Sequence, residues 1–484
     1  MVGFFLYQKS IKKINKGESN LRKSYFCARK LNLLLIMLKV LKVKKGADIK
    51  LVGAAEKILA DAPKPSYVAV KPTDFEGTTP KLAVKEGDEV KAGSTLFFSK
   101  NDDRIKFVSP VSGEVAEIKR GAKRVIQEIV IVADKETKYE DFGASNPTSE
   151  SRDAIIEKLC KSGLWPFIKQ RPYDVIAKPN DKPKAIFISA FDSAPLAPDN
   201  DFIVHGQDSA FQTGLDALVK LAEVHLTVNN AAKADEVFLQ AKNVQLHSIE
   251  GPHPAGNVGV HIHHFAPISK GEVVWTVKPQ DVLAIGKLFL TGKYDAGRVV
   301  AVSGAQIKSP KYFKTIQGVS IKSLLEENLK DGNNRIISGN VLTGEKVSAE
   351  SYLGFYDYHV TVIPEGGEAQ MFGWITPNPD KFSISRALVS WMSPNKKFNL
   401  DANMNGEERP FVVTGEYDKV FPFDIYPVQL VKAIMVDDIE LMENLGIYEV
   451  APEDFALCET VCTSKIPTQT IVRNGLAMLR EEMS

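Results

Sequence analysis

The spacing of apolar residues changes near residue 140, and few architectures accommodate both halves. Up to that point strand-like runs are short and separated by glycine-containing turns. They begin with MLKVLKVKKGADIKLVG from Met37, read as strand, turn and strand with Gly46 and Asp48 at the turn. Tyr67 to Val70, Lys81 to Val84, Leu96 to Phe98, Phe107-Val108 and Val111 to Val115 follow. Such a succession predicts a small β-barrel or sandwich. Beyond residue 140, helical periodicity in Ser149 to Leu159 and Gln207 to Leu221 alternates with β-rich runs at Ala185 to Ala190, Val224 to Val228 and Val244 to Ser248. Alternating strand and helix predicts a parallel sheet with crossover helices. The segment Ser189 to Ser193 follows its strand at the carboxyl end, where open α/β sheets place their crevices.

From Gly297 the compact β pattern returns, with Val299 to Ser303, Val319 to Ile321, a charged helix from Ser323 to Leu329 and Arg335 to Val341, about the size of a β-grasp module. The remainder opens on strand-like Tyr358 to Ile363 and closes with helical segments around Val428 to Met435, Asp438 to Leu445 and Thr470 to Met483. A chain of 484 residues exceeds the size at which one hydrophobic core keeps growing. We therefore expect a multidomain α/β protein, α+β overall. The expected parts are an extension over 1–36, a β domain over 37–138, an α/β domain over 139–296, a β-grasp module over 297–350 and a partly helical part over 351–484.

Charge narrows the function classes. Residues 1–36 hold eight basic side chains against Glu18, so the rest of the chain stands at −6 while the whole is +1. A mildly acidic body gives no clustered basic face for nucleic acid. The four cysteines, Cys27, Cys160, Cys458 and Cys462, are too few and too scattered for a secreted disulfide framework. No run approaches the roughly 20 apolar residues that span a bilayer. For residues 1–36 three readings stand: an amphipathic or disordered arm, a targeting segment, or upstream sequence included by an early start, the last favoured because Met37 directly precedes an organised strand-like segment.

Three motifs invite chemistry. VKEGDEVKAGSTL (84–96) followed by SPVSGEV (109–115) resembles the two half-barrels of lipoyl and biotinyl carrier domains, in which a lysine on the intervening hairpin takes the prosthetic group. Here that hairpin reads Lys100-Asn101-Asp102-Asp103-Arg104-Ile105, without Met-Lys-Met or Asp-Lys-Ala, so the resemblance is to the architecture and not to the chemistry. Cys458 and Cys462 form only the C-x3-C end of a cluster motif; a cubane wants about four thiolates, so buried or relict cysteines are the preferred reading and no metal is assigned. His253, His261, His263 and His264 fall within a dozen residues, yet no acidic residue lies between Gly251 and Ala266. In an extended strand His261 and His263 would share a face opposite His264. Structural or ligand-contacting histidines fit better than a metal site.

No G-x-G-x-x-G, Walker A, G-x-S-x-G or H-E-x-x-H sequence is present. Asp192 and Asp424 have no recognisable catalytic partner and read as solvated or capping carboxylates.

Six segments in order, FSKNDDRIKFVSPVSGEVAEIKRGAKRVIQEIVI (98–131), GLWPFIKQRPYDVI (163–176), AIFISAFDSAPLAPD (185–199), GPHPAGNVGVHIHHFAPIS (251–269), ISGNVLTGE (337–345) and YDKVFPFDIYPVQL (417–430), resemble the NqrA family, the A-type subunits of sodium-translocating NADH:quinone reductases. The similarity runs from Met37 nearly to the C-terminus. It implies a barrel-sandwich-hybrid domain, a Rossmann-like domain, a β-grasp module of the soluble-ligand-binding (SLBB) type and a helical C-terminal part. It also implies a peripheral protein on the cytoplasmic face of the bacterial inner membrane, set against the membrane-embedded B-type component of a six-subunit respiratory pump that oxidises NADH, reduces quinone and exports sodium. FAD, FMN, riboflavin and iron–sulfur centres are then expected on other subunits, with none on this chain, so the isolated chain is not expected to be catalytic. Distant relatives of that family carry a glycine-rich flavin loop and cluster cysteines, and this sequence has neither complete feature. The resemblance makes His253, Asn257, His261 and His263 candidates for hydrogen bonds to quinone carbonyl oxygens. The alternatives are a purely structural scaffold of the same complex and, more remotely, a biotin- or lipoate-type carrier.

Overall fold

The alternating region forms a seven-stranded sheet in the computed structural model, which describes residues 40–230, 234–367, 373 and 378–483. The extension over 1–36 and Cys27 lie outside the described residues. The sheet order is Val40–Lys42, Gln245–Glu250, Val224–Asn229, Ile186–Ser189, Val274–Thr276, Lys169–Arg171 and Val175–Ile176. The first five strands are parallel, and the last two attach antiparallel. Its central strands read IFIS and VHLTVN and are buried over nearly their full length, as strands covered on both faces must be.

Helix boundaries follow local chemistry. Arg152–Lys161 starts after Ser151, whose hydroxyl accepts the Ala154 N–H at 3.2 Å. Pro279–Thr291 opens on proline and stops at Gly292, whose φ of 70° favours glycine. That helix packs closely on Asp208–Val219 because glycines face both ways: a Cβ on Gly286 would sit 1.7 Å from the Ala210 carbonyl oxygen, and one on Gly214 2.1 Å from that of Val282. Leu215, Leu218, Val282, Ile285 and Phe289 fill the interface and are wholly buried.

The region before residue 140 supplies two small sheets, Tyr67–Val70, Ile126–Ala133, Gly113–Arg120 and Glu89–Val90 in one, and Pro80–Leu82, Thr95–Ser99 and Lys106–Val108 in the other. Phe97 and Phe107, paired across neighbouring strands of the second sheet, stack at 4.4 Å and are buried. A further sheet of six strands takes the order Glu345–Val347, Asn334–Ser338, His359–Pro364, Gly297–Ser303, Lys311–Ile316 and Glu56–Asp61.

Several local expectations change once pairing is known. Val40–Lys42 pairs with Gln245–Glu250 in the large sheet, Glu56–Asp61 pairs with Lys311–Ile316, and His359–Pro364 lies between Asn334–Ser338 and Gly297–Ser303. These strands hydrogen-bond into sheets far along the chain, which local periodicity does not report. The second strand expected near Ile49 is only a single bridge, Leu51 to Phe398. Val319 to Ile321 is likewise not a strand, and the helix expected from Ser323 to Leu329 is the short Ile321–Leu325. The histidine segment is corrected outright: Val258–Phe265 is a helix, because Gly259 and Val260 pack inward and the apolar period is helical once the loop Pro252–Asn257 has turned. The C-terminal helices Pro427–Met435, Ile439–Asn444 and Thr468–Glu482 lie where periodicity puts them. They share a second core with Phe421, Phe455 and Val260.

Candidate functional site

In the large sheet the chain leaves Ile186–Ser189 toward Val224–Asn229 on one side, while Val274–Thr276 lies on the other. A crevice opens at the carboxyl ends of two parallel strands where the order reverses, as open α/β sheets require. A cleft of about 240 Å³ occupies that place. Its walls come from every part of the chain beyond the small barrel: Ser189 at the end of one strand with Phe191 and Asp192 after it, Lys278 after another, His253 and Asn257 from the loop before the histidine helix, His359 from the six-stranded sheet with Tyr356 from the turn before it, and Glu453 from the C-terminal helices.

Ser193 organises the loop. Its hydroxyl accepts the Gly256 N–H at 2.8 Å and lies in hydrogen-bond contact, 3.0 Å, with His253 Nδ1. That contact ties the ring to the loop through Nδ1, on the wall of the cleft. Burial holds the His253 imidazole below its ordinary range, so the ring is neutral at physiological pH. The His253 N–H donates to Asp48 Oδ1 at 3.0 Å, and Ser189 Oγ donates to the Gly256 carbonyl at 2.9 Å. Asn257 Nδ2 reaches the Glu453 carbonyl at 3.4 Å, leaving Oδ1 as an acceptor.

Of the four sequence-nominated residues, the structure brings His253 and Asn257 to the cleft. His261 lies behind the wall, fully buried, with Nε2 2.8 Å from the Ala255 carbonyl, and burial takes its imidazole down to about 4. His263 points to the C-terminal helices, with Nδ1 2.7 Å from Glu449 Oε2 and Nε2 accepting the Asp424 N–H at 3.2 Å. Asp192 accepts the Ala194 N–H at 2.8 Å in a turn, as a capping carboxylate.

Sequence reading missed the ionic floor of this cleft. Arg171 donates to Asp454 Oδ2 at 2.8 Å and to Glu453 Oε1 at 2.5 Å. Arg171 and Asp454 are buried, whereas the Glu453 side chain keeps 39 % of its surface. Asp174 stands between Lys169 at 2.7 Å and Arg473 at 2.9 Å. Burial alone would raise its carboxyl, but Lys169, Arg171 and Arg473 outweigh that and hold it at about 2. Arg171 and Asp174 both lie in the QRPYD segment, a dense run of opposite charges beside proline, which was the one available signal. Lys278 completes the rim, with Nζ 2.8 Å from the Tyr356 carbonyl.

Cys458 and Cys462 are buried, and burial raises the Cys458 thiol well above its ordinary range. Among the described residues no group of three or more histidine, cysteine, aspartate or glutamate side chains is placed to hold a metal ion. A wider groove of about 700 Å³ runs between the barrel hairpin and helix Arg152–Lys161, but Arg104 in it is already committed to Asp102 and Asn180. The central cleft, with convergent buried polar groups, is the stronger site.

Sequence models of three domains match the chain in order: the NqrA N-terminal barrel-sandwich hybrid domain over 41–134, the NqrA second alpha/beta domain over 150–294 and the NQRA C-terminal domain, of SLBB type, over 299–349. The chain is 37 % identical over 446 residues to the A-type subunit of the Na(+)-translocating NADH-quinone reductase of Neisseria meningitidis, covering 92 % of this chain and 100 % of that protein. The corresponding proteins of Photorhabdus laumondii and Yersinia pestis match at the same identity and coverage. The chain belongs to the NqrA family. The NqrA domain order is the expected one: barrel-sandwich hybrid, α/β, SLBB. No helix of this NqrA chain, among the described residues, is long and apolar enough to cross a membrane.

Proposed function

We propose that this chain is the peripheral component of a sodium-translocating NADH:quinone reductase that holds the quinone ring in the central cleft and docks against the pump's membrane-embedded B-type component. In this reading it carries no redox centre. Electrons arrive through FAD, FMN, riboflavin and iron–sulfur centres on other subunits, and the assembly sits on the cytoplasmic face of the inner membrane. The supporting observation is His253, neutral and held by Ser193 through Nδ1 on the wall of the cleft. A neutral imidazole can donate to a quinone carbonyl in its Nε2–H tautomer, and Asn257 Oδ1 can accept from a quinol hydroxyl. The cleft, at about 240 Å³, lies below the roughly 300–1,000 Å³ that encloses larger ligands, which suits one ring rather than a dinucleotide. His261 and His263 serve this site from behind, by anchoring the helix that follows Asn257.

The test is kinetic, in the assembled enzyme. His253→Ala and Asn257→Ala should each raise KM for quinone by roughly fivefold or more, the cost of a lost buried hydrogen bond, with NADH oxidation by an artificial acceptor unchanged. Unaltered KM and unaltered binding of quinone-site inhibitors in both variants would leave a scaffold that never touches quinone.

A further inference from the structure

We propose that residues 378–398 form a finger that contacts an anionic membrane surface, laying Trp391 and Met392 at the level of the lipid headgroups. The finger is built, not loose. At its base the rings of Phe382 and Phe398 meet edge-on at 5.5 Å. The Phe398 N–H donates to the Lys50 carbonyl at 2.8 Å, and the Val52 N–H donates to the Phe398 carbonyl at 3.0 Å, zipping the base to the body. Midway, buried Ser390 accepts the Ser383 N–H at 3.2 Å and donates to the Ser383 carbonyl at 3.4 Å. That clamp fixes the single helical turn Val389–Met392 and turns its last two side chains outward. Trp391 is 55 % exposed and Met392 66 % exposed.

The charge around this tip is one-sided. Residues 378–398 contain Lys381, Arg386, Lys396 and Lys397 against Asp380, on a chain whose residues beyond 36 sum to −6. Lys50 joins them, its Nζ 2.9 Å from the Pro394 carbonyl. The Arg386 guanidinium lies 5.9 Å from the Trp391 ring, and Lys396 pairs with Asp380 at 2.6 Å. An exposed tryptophan and methionine side by side are unfavourable in water. A protein partner would favour an apolar centre depleted of lysine. Tryptophan flanked by lysine and arginine is instead the composition of segments that lie in a membrane interface, where the indole sits among headgroups and the cations meet anionic lipid. Lipid contact at the finger does not depend on where the quinone binds.

The experiment uses the full chain and vesicles of phosphatidylcholine with or without about 30 % phosphatidylglycerol. We expect co-sedimentation with the anionic vesicles and a blue shift of tryptophan emission that Trp391→Phe abolishes. The Trp391→Ala/Met392→Ala and Lys381→Glu/Lys397→Glu pairs should each weaken binding on the order of fivefold or more. Comparing chains with the same N-terminus removes any contribution from the basic residues 1–36. Parental binding by both pairs, or an emission shift that survives Trp391→Phe, overturns the proposal. Variants that bind vesicles normally but fail to assemble with the rest of the pump overturn it too, and assign the finger to a protein partner.

Discussion

Arg171 and Asp454 form a buried ion pair across 283 residues of sequence, Nη1 to Oδ2 at 2.8 Å, and so tie an inner strand of the large sheet to the C-terminal helices. The same guanidinium holds Glu453 at the cleft. Geometry of the site therefore depends on the seam between two parts of the molecule.

Removing Arg171 should leave Asp454 charged and unpaired in the interior. Arg171→Ala is expected to cost about 3–5 kcal/mol in denaturant unfolding, since breaking one side of a buried pair is worse than never having it. Arg171→Met/Asp454→Leu should recover a large part of that loss. Additive losses in the double variant would show that the two residues are not coupled.

Asp174 predicts an acid dependence. Its folded carboxyl stands at about 2 against an ordinary 3.8, so ionisation stabilises the fold above about pH 4 and that contribution disappears as pH falls from about 4 toward about 2. Asp174→Asn should be less stable by about 2 kcal/mol at pH 7, and the gap between the two proteins should close in that acid window. Urea unfolding at a series of pH values measures it.

Gly259 faces the pair directly. A Cβ there would stand 2.6 Å from Asp454 Oδ1 and 3.0 Å from Arg171 Nη1. Gly259→Ala should destabilise by about 1–3 kcal/mol and raise KM for quinone, because the pair and Glu453 must shift to admit the methyl group. Unchanged stability and kinetics would show the seam to be compliant.

Ser193→Ala tests orientation rather than contact. Without the hydroxyl, His253 Nδ1 loses its partner and the ring is no longer held in one orientation. Quinone KM should rise severalfold while NADH oxidation by an artificial acceptor holds. Ser193→Thr, which restores the hydroxyl, should recover part of the loss.

The buried thiols should be inert. Cys160, Cys458 and Cys462 are shielded, and burial raises the Cys160 thiol to about 12. Iodoacetamide at pH 8 should modify these three only after denaturant is added, as mass spectrometry of peptides will show. Rapid native labelling of Cys458 or Cys462 would revive a metal or redox role for them.

The sequence by itself determined the kinds of layer and their order along the chain. Short glycine-bounded strands before residue 140 and alternating strands and helices after it report local periodicity, which each segment carries within itself. It also determined the crevice segment Ser189 to Ser193, because position after a buried strand is a local property. Tertiary structure alone decided which sheet received Val40–Lys42, Glu56–Asp61 and His359–Pro364, since a strand's partners are distant in the chain and its hydrogen bonds are alike in every sheet. It likewise decided that His253 and Asn257 reach the cleft while His261 and His263 turn away, because the segment after Asn257 winds as a helix, and a helix spreads neighbouring side chains around its axis where a strand would have alternated them. Arg171 found Asp454 and Glu453 for the same reason: a charge pair is a matter of proximity in space, and 283 residues of intervening chain carry no sign of it.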